Sequence, residues 1–237
     1  MTVLITTANN PPAGVPFTTM TNPVMRVIAA KAALYFWLSQ GIEQIVLADA
    51  TGTNLLSEEE WEEIDKSETR IEQINYNQAA ERVVKNGKGY GEGKLIEYAI
   101  DNSELLSGVD HFLKCTGKLY VRNFPEIAQA IQTHNISSLF WRYMGDGTLM
   151  YEWADSRFYY TSKTFAKSHL LPAYFATFDE VAAACEYHIF EVVNRSMESS
   201  QGVRPLVTGY SGATGQPCFD GSLGVLDRHF PCWIVKR

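Results

Sequence analysis

Between Gly87 and Asn123 the chain sets GKGYGEG directly before an apolar-periodic helical segment, then closes the next strand with KCTGKLYVRN. Glycines 87, 89, 91 and 93 leave room for backbone N–H donors to approach an anion. Lys88 and Lys94 add positive charge where a helix begins, and a helix N-terminus already favours phosphate. Four glycines in alternation, with Glu92 among them, exceed what a single turn requires. Lys114, Thr116, Gly117 and Lys118 end the following strand, where an ammonium can supply part of the charge that a metal cation would give a diphosphate. Lysines at strand ends also serve as ordinary solubilising residues. The pattern is neither a Walker loop, which needs GK[ST], nor a dinucleotide fingerprint, whose glycines directly follow the first strand.

Other positions carry weaker chemistry. Glu186 and His188 sit in the helical pattern DEVAAACEYHIFEVVNRSM, and a carboxylate facing a cleft there can take a proton from a hydroxyl nucleophile. For His188 a surface or satisfied-core role is the commoner one. Asp49 ends an apolar strand in ADATG, where it suits either a ribose or base contact or a plain cap or turn. The hydroxyl-rich TGYSGATG segment, with Tyr210, Ser211 and Gly212, reads as a lid over a bound ligand or as a surface loop. Asp220, Asp227 and His229 come after it at a spacing too loose to define a metal site. Asp146 lies in Gly-Asp-Gly, a strong turn signal in itself.

The elements that must position these residues alternate. Val3 to Thr6 is a short strand, stopped by NNPPAGVP because proline supplies no ladder donor. A helix is expected from Pro23 to Gln40, closed by Gly41, and a buried strand from Ile45 to Ala48. The acidic SEEEWEEIDKSE reads as a solvated helix and IEQINYN as a third strand. Next come a helix from Lys94 to Ser103, a strand from His111 to Val121, and a helix started by Pro125 and running to His134. SLFWRYM and SRFYYTS read as strands on either side of a hairpin-like MGDGTLMYEWAD, and a long helix is expected from Asp179 to Met197. Because loops after parallel strands carry the ligand in such sheets, Thr6, Thr7, Asp49 and the Gly117 strand end are the positions to inspect.

Composition sets bounds on these readings. The chain has 237 residues, 46% of them apolar, enough for one sizeable α/β core, and a single domain over residues 1–237 is expected. A net charge of −7 argues against a general nucleic-acid binder, so any anion site must be local. Cys115, Cys185, Cys218 and Cys232 show no CxxC spacing, which suggests a reducing cytoplasm. No basic segment followed by a long apolar run opens the chain, and no window of about 18 apolar residues occurs.

The order VLITT, Arg26 in the first helix, IVLADATG, GKGYGEGKLIEYAI, FLKCTGKLYVRN, a Glu-bearing helix and GYSGATG resembles small GT-A-type glycosyltransferases of bacterial lipopolysaccharide, O-antigen and capsule synthesis. The resemblance spans Val3 to Gly215. It implies an α/β, Rossmann-type three-layer sandwich with a mixed central sheet. It further implies a donor site formed by Thr6, Thr7, Arg26, Asp49, Lys88, Gly89, Gly91, Glu92, Lys114, Thr116, Gly117 and Lys118. Tyr210, Ser211 and Gly212 would lie toward the acceptor or form the lid. Asp49 would touch the nucleoside, Lys114 to Lys118 the diphosphate or transferred sugar, and Glu186 would be the acceptor base. Such enzymes carry Mn or Mg on an Asp-x-Asp motif. Here Lys-Cys-Thr-Gly-Lys stands in its place, so no metal ligand and no cofactor is assigned, and a divalent metal, Mn or Mg, stays open without its motif.

The resemblance implies sugar transfer from a nucleotide-sugar donor to a lipid-linked or oligosaccharide acceptor, by inverting displacement if Glu186 is the base. The site of action would be the cytoplasm, at the cytoplasmic face of the inner membrane, with Trp233, Lys236 and Arg237 as a modest anchor. Two alternatives stay open. A sugar-phosphate nucleotidyltransferase shares a similar sheet, although the first loop here is Pro-rich rather than Gly-rich. A non-catalytic nucleotide- or glycan-binding protein would use some of the twelve tyrosines and five tryptophans for stacking.

Overall fold

The chain opens with β1 (Thr2–Thr7), buried along its whole length, and α1 (Pro23–Ser39). The helix starts where Asn22 accepts hydrogen bonds from the backbone N–H groups of Val24 and Met25, with Pro23 in the first turn. It stops before Gly41, whose φ of 66° is one that side-chain-bearing residues rarely adopt. β2 (Gln44–Asp49), α2 (Glu58–Ile64, started by a Ser57/Glu60 capping box) and β3 (Arg70–Asn75) come next. The computed structural model describes residues 1–144, 149–178, 184–219 and 230–236. Asp146, Asp220, Asp227, His229, Arg237 and the expected helix start at Asp179 lie outside the described residues.

Two short helices, α3 (Ala80–Asn86) and α5 (Glu104–Ser107), flank α4 (Lys88–Asn102). The expected strand from His111 to Val121 is two strands, β4 (His111–Thr116) and β5 (Leu119–Val121), broken at Gly117 and Lys118. The remaining elements are α6 (Phe124–Thr133), β6 (Ile136–Met144), β7 (Leu149–Ala154) and β8 (Phe158–Ser162). After them come α7 (Lys163–Phe165), a π-helical turn (Ala166–Leu170), α8 (Leu171–Phe175), α9 (Cys185–Ser196), β9 (Glu198–Gly202), β10 (Val207–Tyr210), β11 (Pro217–Phe219) and β12 (Phe230–Lys236).

The main sheet runs β3-β2-β1-β4-β8-β6-β12-β9, with β7 paired to β6. The first four strands are parallel, and β4 onward pairs antiparallel. Alternating side chains feed two cores. Val3, Ile5, Ile45 and Leu47 face α1 and α6, whereas Leu4, Val46 and Ala48 face α4, α8 and α9. The result is an α/β three-layer sandwich with a mixed central sheet. A small antiparallel sheet, β11-β10-β5, caps one end. Trp233 is buried in β12 between β6 and β9, which removes it as a membrane anchor. Among the described residues no helix is long and apolar enough to cross a membrane.

The glycine-rich stretch takes a different form from the expected one. The helix begins at Lys88, not Lys94, so Gly89, Gly91 and Gly93 lie inside it. They are positions of close packing. A Cβ on Gly93 would sit 2.4 Å from Tyr174 Cβ, and one on Gly89 would sit 2.9 Å from Cys185 Cβ. Only a residue without a side chain lets α4 lie this close to α8 and α9. Gly93→Ala should therefore cost about 2 kcal/mol or more by overpacking. Gly108→Ala, where the nearest atom is 3.9 Å away and φ is negative, should stay within about 0.5 kcal/mol. Urea unfolding of the two variants beside the parent checks the contrast, and equal midpoints would refute it.

Candidate functional site

Register decides where the site opens. Thr7 of β1 pairs with Asp49 of β2, and Thr6 with Thr116 of β4, so three parallel strands end level and their loops open on one edge. A cavity of about 920 Å³ lies there, of the size that small-molecule sites usually have. Its lining includes Thr6, Thr7, Arg26, Lys88, Gly89, Gly91, Glu92, Thr116, Lys118, Glu186, Tyr210, Ser211 and Gly212. These residues, scattered from position 6 to position 212 of the sequence, meet in one place.

Three of the expected ligand residues stand behind the wall instead. Asp49 is 2% exposed and both of its oxygens are occupied. Oδ2 accepts from Thr7 Oγ1 at 2.8 Å and Asn9 N at 2.9 Å. Oδ1 accepts from Thr51 Oγ1 at 2.6 Å, Thr51 N at 2.8 Å and Thr53 N at 3.0 Å. This carboxylate staples the loops after β1 and β2, the turn role weighed for it from the sequence. Ala50 and Thr51, beside it, line the cavity. Gly117 donates its N–H to Thr6 O at 2.8 Å, and a Cβ there would fall 2.1 Å from Thr7 Cγ2. Its smallness lets β1 and the β4–β5 turn cross.

Lys114 is the third. It is fully buried, and its ammonium is saturated by Glu92 Oε1 at 2.7 Å, Ser156 O at 2.6 Å and Thr116 Oγ1 at 2.9 Å. Glu92 Oε1 also accepts from Thr6 Oγ1 at 2.7 Å and Thr116 Oγ1 at 3.2 Å. The lysine is thus the centre of a network joining β1, β4, α4 and the β7–β8 turn, and it has no donor left for a diphosphate. Ser156 continues the network, its hydroxyl donating to Glu186 Oε1 at 2.7 Å. Glu186 stands in the first turn of α9, half-buried, with its carboxylate at the cavity.

The charge in the cavity differs in sign from that of the chain. Arg26 and Lys118 are both 6% exposed. Arg26 is fixed by donating from Nε to Ala8 O and from Nη1 to Met20 O. Burial lowers its proton affinity, partly offset by Asp49. Lys118 is pushed down to about 7, first by burial and then by the Arg26 charge, with Glu92 pulling the other way. Lys88 adds charge at the N-terminus of α4, which has no side-chain cap.

Sequence reasoning passed over the β7–β8 turn. Arg157 lines the cavity, gripped by Asp155, whose Oδ1 accepts from Arg157 Nε at 2.9 Å and whose Oδ2 accepts from Nη2 at 2.7 Å. The signal was an Asp and an Arg two apart across a serine, at the junction between the hairpin-like MGDGTLMYEWAD and the strand SRFYYTS. Arg204, between β9 and β10, also lines the cavity and had no local signal. The TGYSGATG loop lies over the site, tied down by Thr19 N donating to Ala213 O and Met20 N to Gly212 O.

The segment at which the sequence resemblance would put an Asp-x-Asp metal motif holds Lys114, Cys115, Thr116, Gly117 and Lys118. Two lysines repel a cation, and burial pushes the Cys115 thiol up to about 12, far from a thiolate. This segment does not fit a divalent ion, and no step is derived through one. Among the described residues no three His, Cys, Asp or Glu side chains gather as a metal-binding group.

No protein-family description and no curated protein matches the chain. Among solved structures, mannose-1-phosphate geranyltransferase from Thermus thermophilus is similar over 81% of this chain and 68% of its own, at 7% identity and a TM-score of 0.25. A likeness of that size bears on neither family nor activity.

Removing Lys114 leaves Glu92, Thr116 and Ser156 without their shared donor. Lys114→Met should cost about 3 kcal/mol, because an orphaned buried charge is worse than either the pair or its apolar replacement. Adding Glu92→Gln should cost less than the two single losses together. Chemical unfolding of the double-mutant cycle measures this, and strict additivity would refute the network.

Proposed function

We propose that the chain is a nucleotide-sugar-dependent glycosyltransferase that moves a sugar onto a hydroxyl of a bacterial surface glycan, of lipopolysaccharide, O-antigen or capsule type. The observation that carries this reading is the meeting of two buried cations, Arg26 and Lys118, with one half-buried carboxylate, Glu186, in a single cavity at the ends of parallel strands. The nature of the acceptor rests on the sequence resemblance alone.

In this reading the donor's diphosphate lies between Arg26, Lys118 and the start of α4. The nucleoside occupies the end lined by Ala50, Thr51, Asn77 and Gln78. Glu186 withdraws the acceptor's hydroxyl proton as that oxygen attacks the anomeric carbon. The bond from that carbon to the diphosphate oxygen breaks, and its electron pair leaves on the diphosphate. Fixed cations in a site of low dielectric stabilise that developing charge without reorganising. One direct displacement inverts the configuration at the anomeric carbon. Ser156 keeps Glu186 oriented, and the 211–216 loop excludes water once the donor is seated.

A thermal-shift panel of nucleoside diphosphates and nucleotide sugars tests the reading, since a ligand stabilises the fold by mass action. One nucleotide class should raise Tm, equally with manganese or with chelator. A shift that appears only with manganese would overturn the metal-free geometry, and no shift with any nucleotide would overturn the donor site. Glu186→Gln should keep the nucleotide shift and lose about a hundred- to ten-thousand-fold in kcat, the range of a positioned general base. Undiminished turnover in that variant would remove Glu186 from the mechanism.

A further inference from the structure

Lys118 stands apart from the other lysines of the chain. Its side chain is buried at the wall of the cavity, and among the described residues its ammonium has neither a hydrogen-bond acceptor nor an ion-pair partner. The nearby carboxylate, Glu92, is already taken by Lys114, Thr6 and Thr116. A second cation shares the place. A Cβ built on Gly212 would lie 3.3 Å from Lys118 Nζ and 3.9 Å from Arg26 Nη1, so both charges sit beneath the same point of the loop. Two cations side by side, almost wholly out of water and, among the described residues, with no carboxylate in contact with either, are costly even with Asp49 and Glu92 nearby, and only the lysine can shed its charge, because a guanidinium keeps its proton.

We infer that Lys118 is a proton-coupled anion receptor: neutral for much of the time in the empty cavity, it takes up a proton as a phosphoryl anion enters, and the ammonium so formed holds that anion beside Arg26. The inference rests on the reading that a phosphoryl anion occupies this cavity, but on neither the nucleoside nor the sugar.

The groups facing Lys118 give the sign. Arg26 from α1, Lys88 from α4 and Lys114 from β4 all disfavour its charge, Glu92 from α4 favours it, and burial disfavours it most, which together bring it down to about 7. An anion adds a favourable charge at contact distance and raises it. The protonated form therefore binds. Below about 7 the proton is already present and affinity is flat with respect to this group. Above that value, up to the raised bound-state value, each pH unit lowers affinity about tenfold, because binding must import the proton. The balance is simple: one proton moves from solvent to Nζ, and nothing is oxidised or transferred.

Calorimetric titration of inorganic pyrophosphate into the protein at pH 8, in two buffers of different ionisation enthalpy, counts the protons taken up. Lys118→Arg, charged throughout, is the reference that cancels the titration of pyrophosphate itself. The parent should take up close to one proton more than Lys118→Arg, its affinity should fall about tenfold more than that of Lys118→Arg from pH 8 to pH 9, and Lys118→Met should bind at least tenfold more weakly. Equal proton counts in parent and Lys118→Arg, undiminished binding by Lys118→Met, or no binding of pyrophosphate would each overturn the inference. Should either variant fail to fold, 13Cε-lysine NMR of the parent decides: one resonance must titrate near pH 7 and move to higher pH with pyrophosphate, and its absence overturns the proposal. Pyrophosphate binding with proton uptake but no nucleotide binding would sink the glycosyltransferase reading and leave the Lys118 inference standing. Nucleotide binding without the proton difference would do the reverse.

Discussion

The structure turns on the buried pairing of Lys114 with Glu92. A lysine with no exposure is tolerated only where its charge is matched and its three donors are used, and this one reaches a carboxylate, a hydroxyl and a carbonyl within 2.9 Å. The partners belong to four separate pieces of chain. Glu92 comes from α4, Thr116 from the end of β4, Ser156 from the β7–β8 turn, and Thr6 joins from β1 through Glu92. An apolar group could fill the same volume, but it would not tell those pieces where to stop. Directional bonds to one ammonium set the ends of β1 and β4, the first turns of α4 and the height of the β7–β8 turn together.

That turn then transmits the position to Glu186. Ser156 receives the lysine on its carbonyl and gives its hydroxyl to Glu186, so the carboxylate is tied to the same network as the ends of β1 and β4. Asp155 and Arg157 lock the same turn by a two-pronged ion pair and aim a guanidinium at the cavity. The chain as a whole is acidic, at −7, yet this one concavity is bounded by Arg26, Lys88, Lys118, Arg157 and Arg204 against Glu92 and Glu186. Low-dielectric walls focus such a field, which favours an anion in the cavity despite the acidic chain.

The parts of this that could be read from the sequence are those written in local patterns. β1, α1 and β2 carry period, cap and breaker in adjacent residues: VLITT before a proline-rich stop, Asn22-Pro23 before an apolar face, Gly41 after it. The clustering of Thr6, Arg26, Glu92, Lys118 and Glu186 was legible to the extent that strand ends and helix starts point to one edge of a parallel sheet. β9, with the polar sequence ESSQG, was not legible, because it is a strand only by virtue of its pairing with β12. α3 and the run from α7 through α8 were missed for a related reason. They are too short to show a period, and their stability comes from packing against α4. For Lys114 and Lys118, four residues apart, composition gives no hint that one is saturated and the other has no partner among the described residues. The Gly117 turn between β4 and β5 separates their fates.

The glycines of α4 show how a correct location can come with an incomplete reason. Alternating glycines before an apolar helix suggest a phosphate loop, yet here the backbone is already helical and the missing side chains serve neighbours: Cys185 at Gly89, Val83 at Gly91, Tyr174 at Gly93. The two roles are linked by geometry. Cys185 precedes Glu186, so the contact that needs glycine at position 89 also draws the start of α9, and with it the carboxylate, up to the start of α4. A helix N-terminus and a carboxylate on different helices can share one small ligand only if their backbones approach to within a side chain's width. A larger residue at Gly89 would separate them even if every polar group of the site were kept. Close packing thus places Glu186 opposite the cations, and the hydrogen bond from Ser156 fixes the direction in which it points.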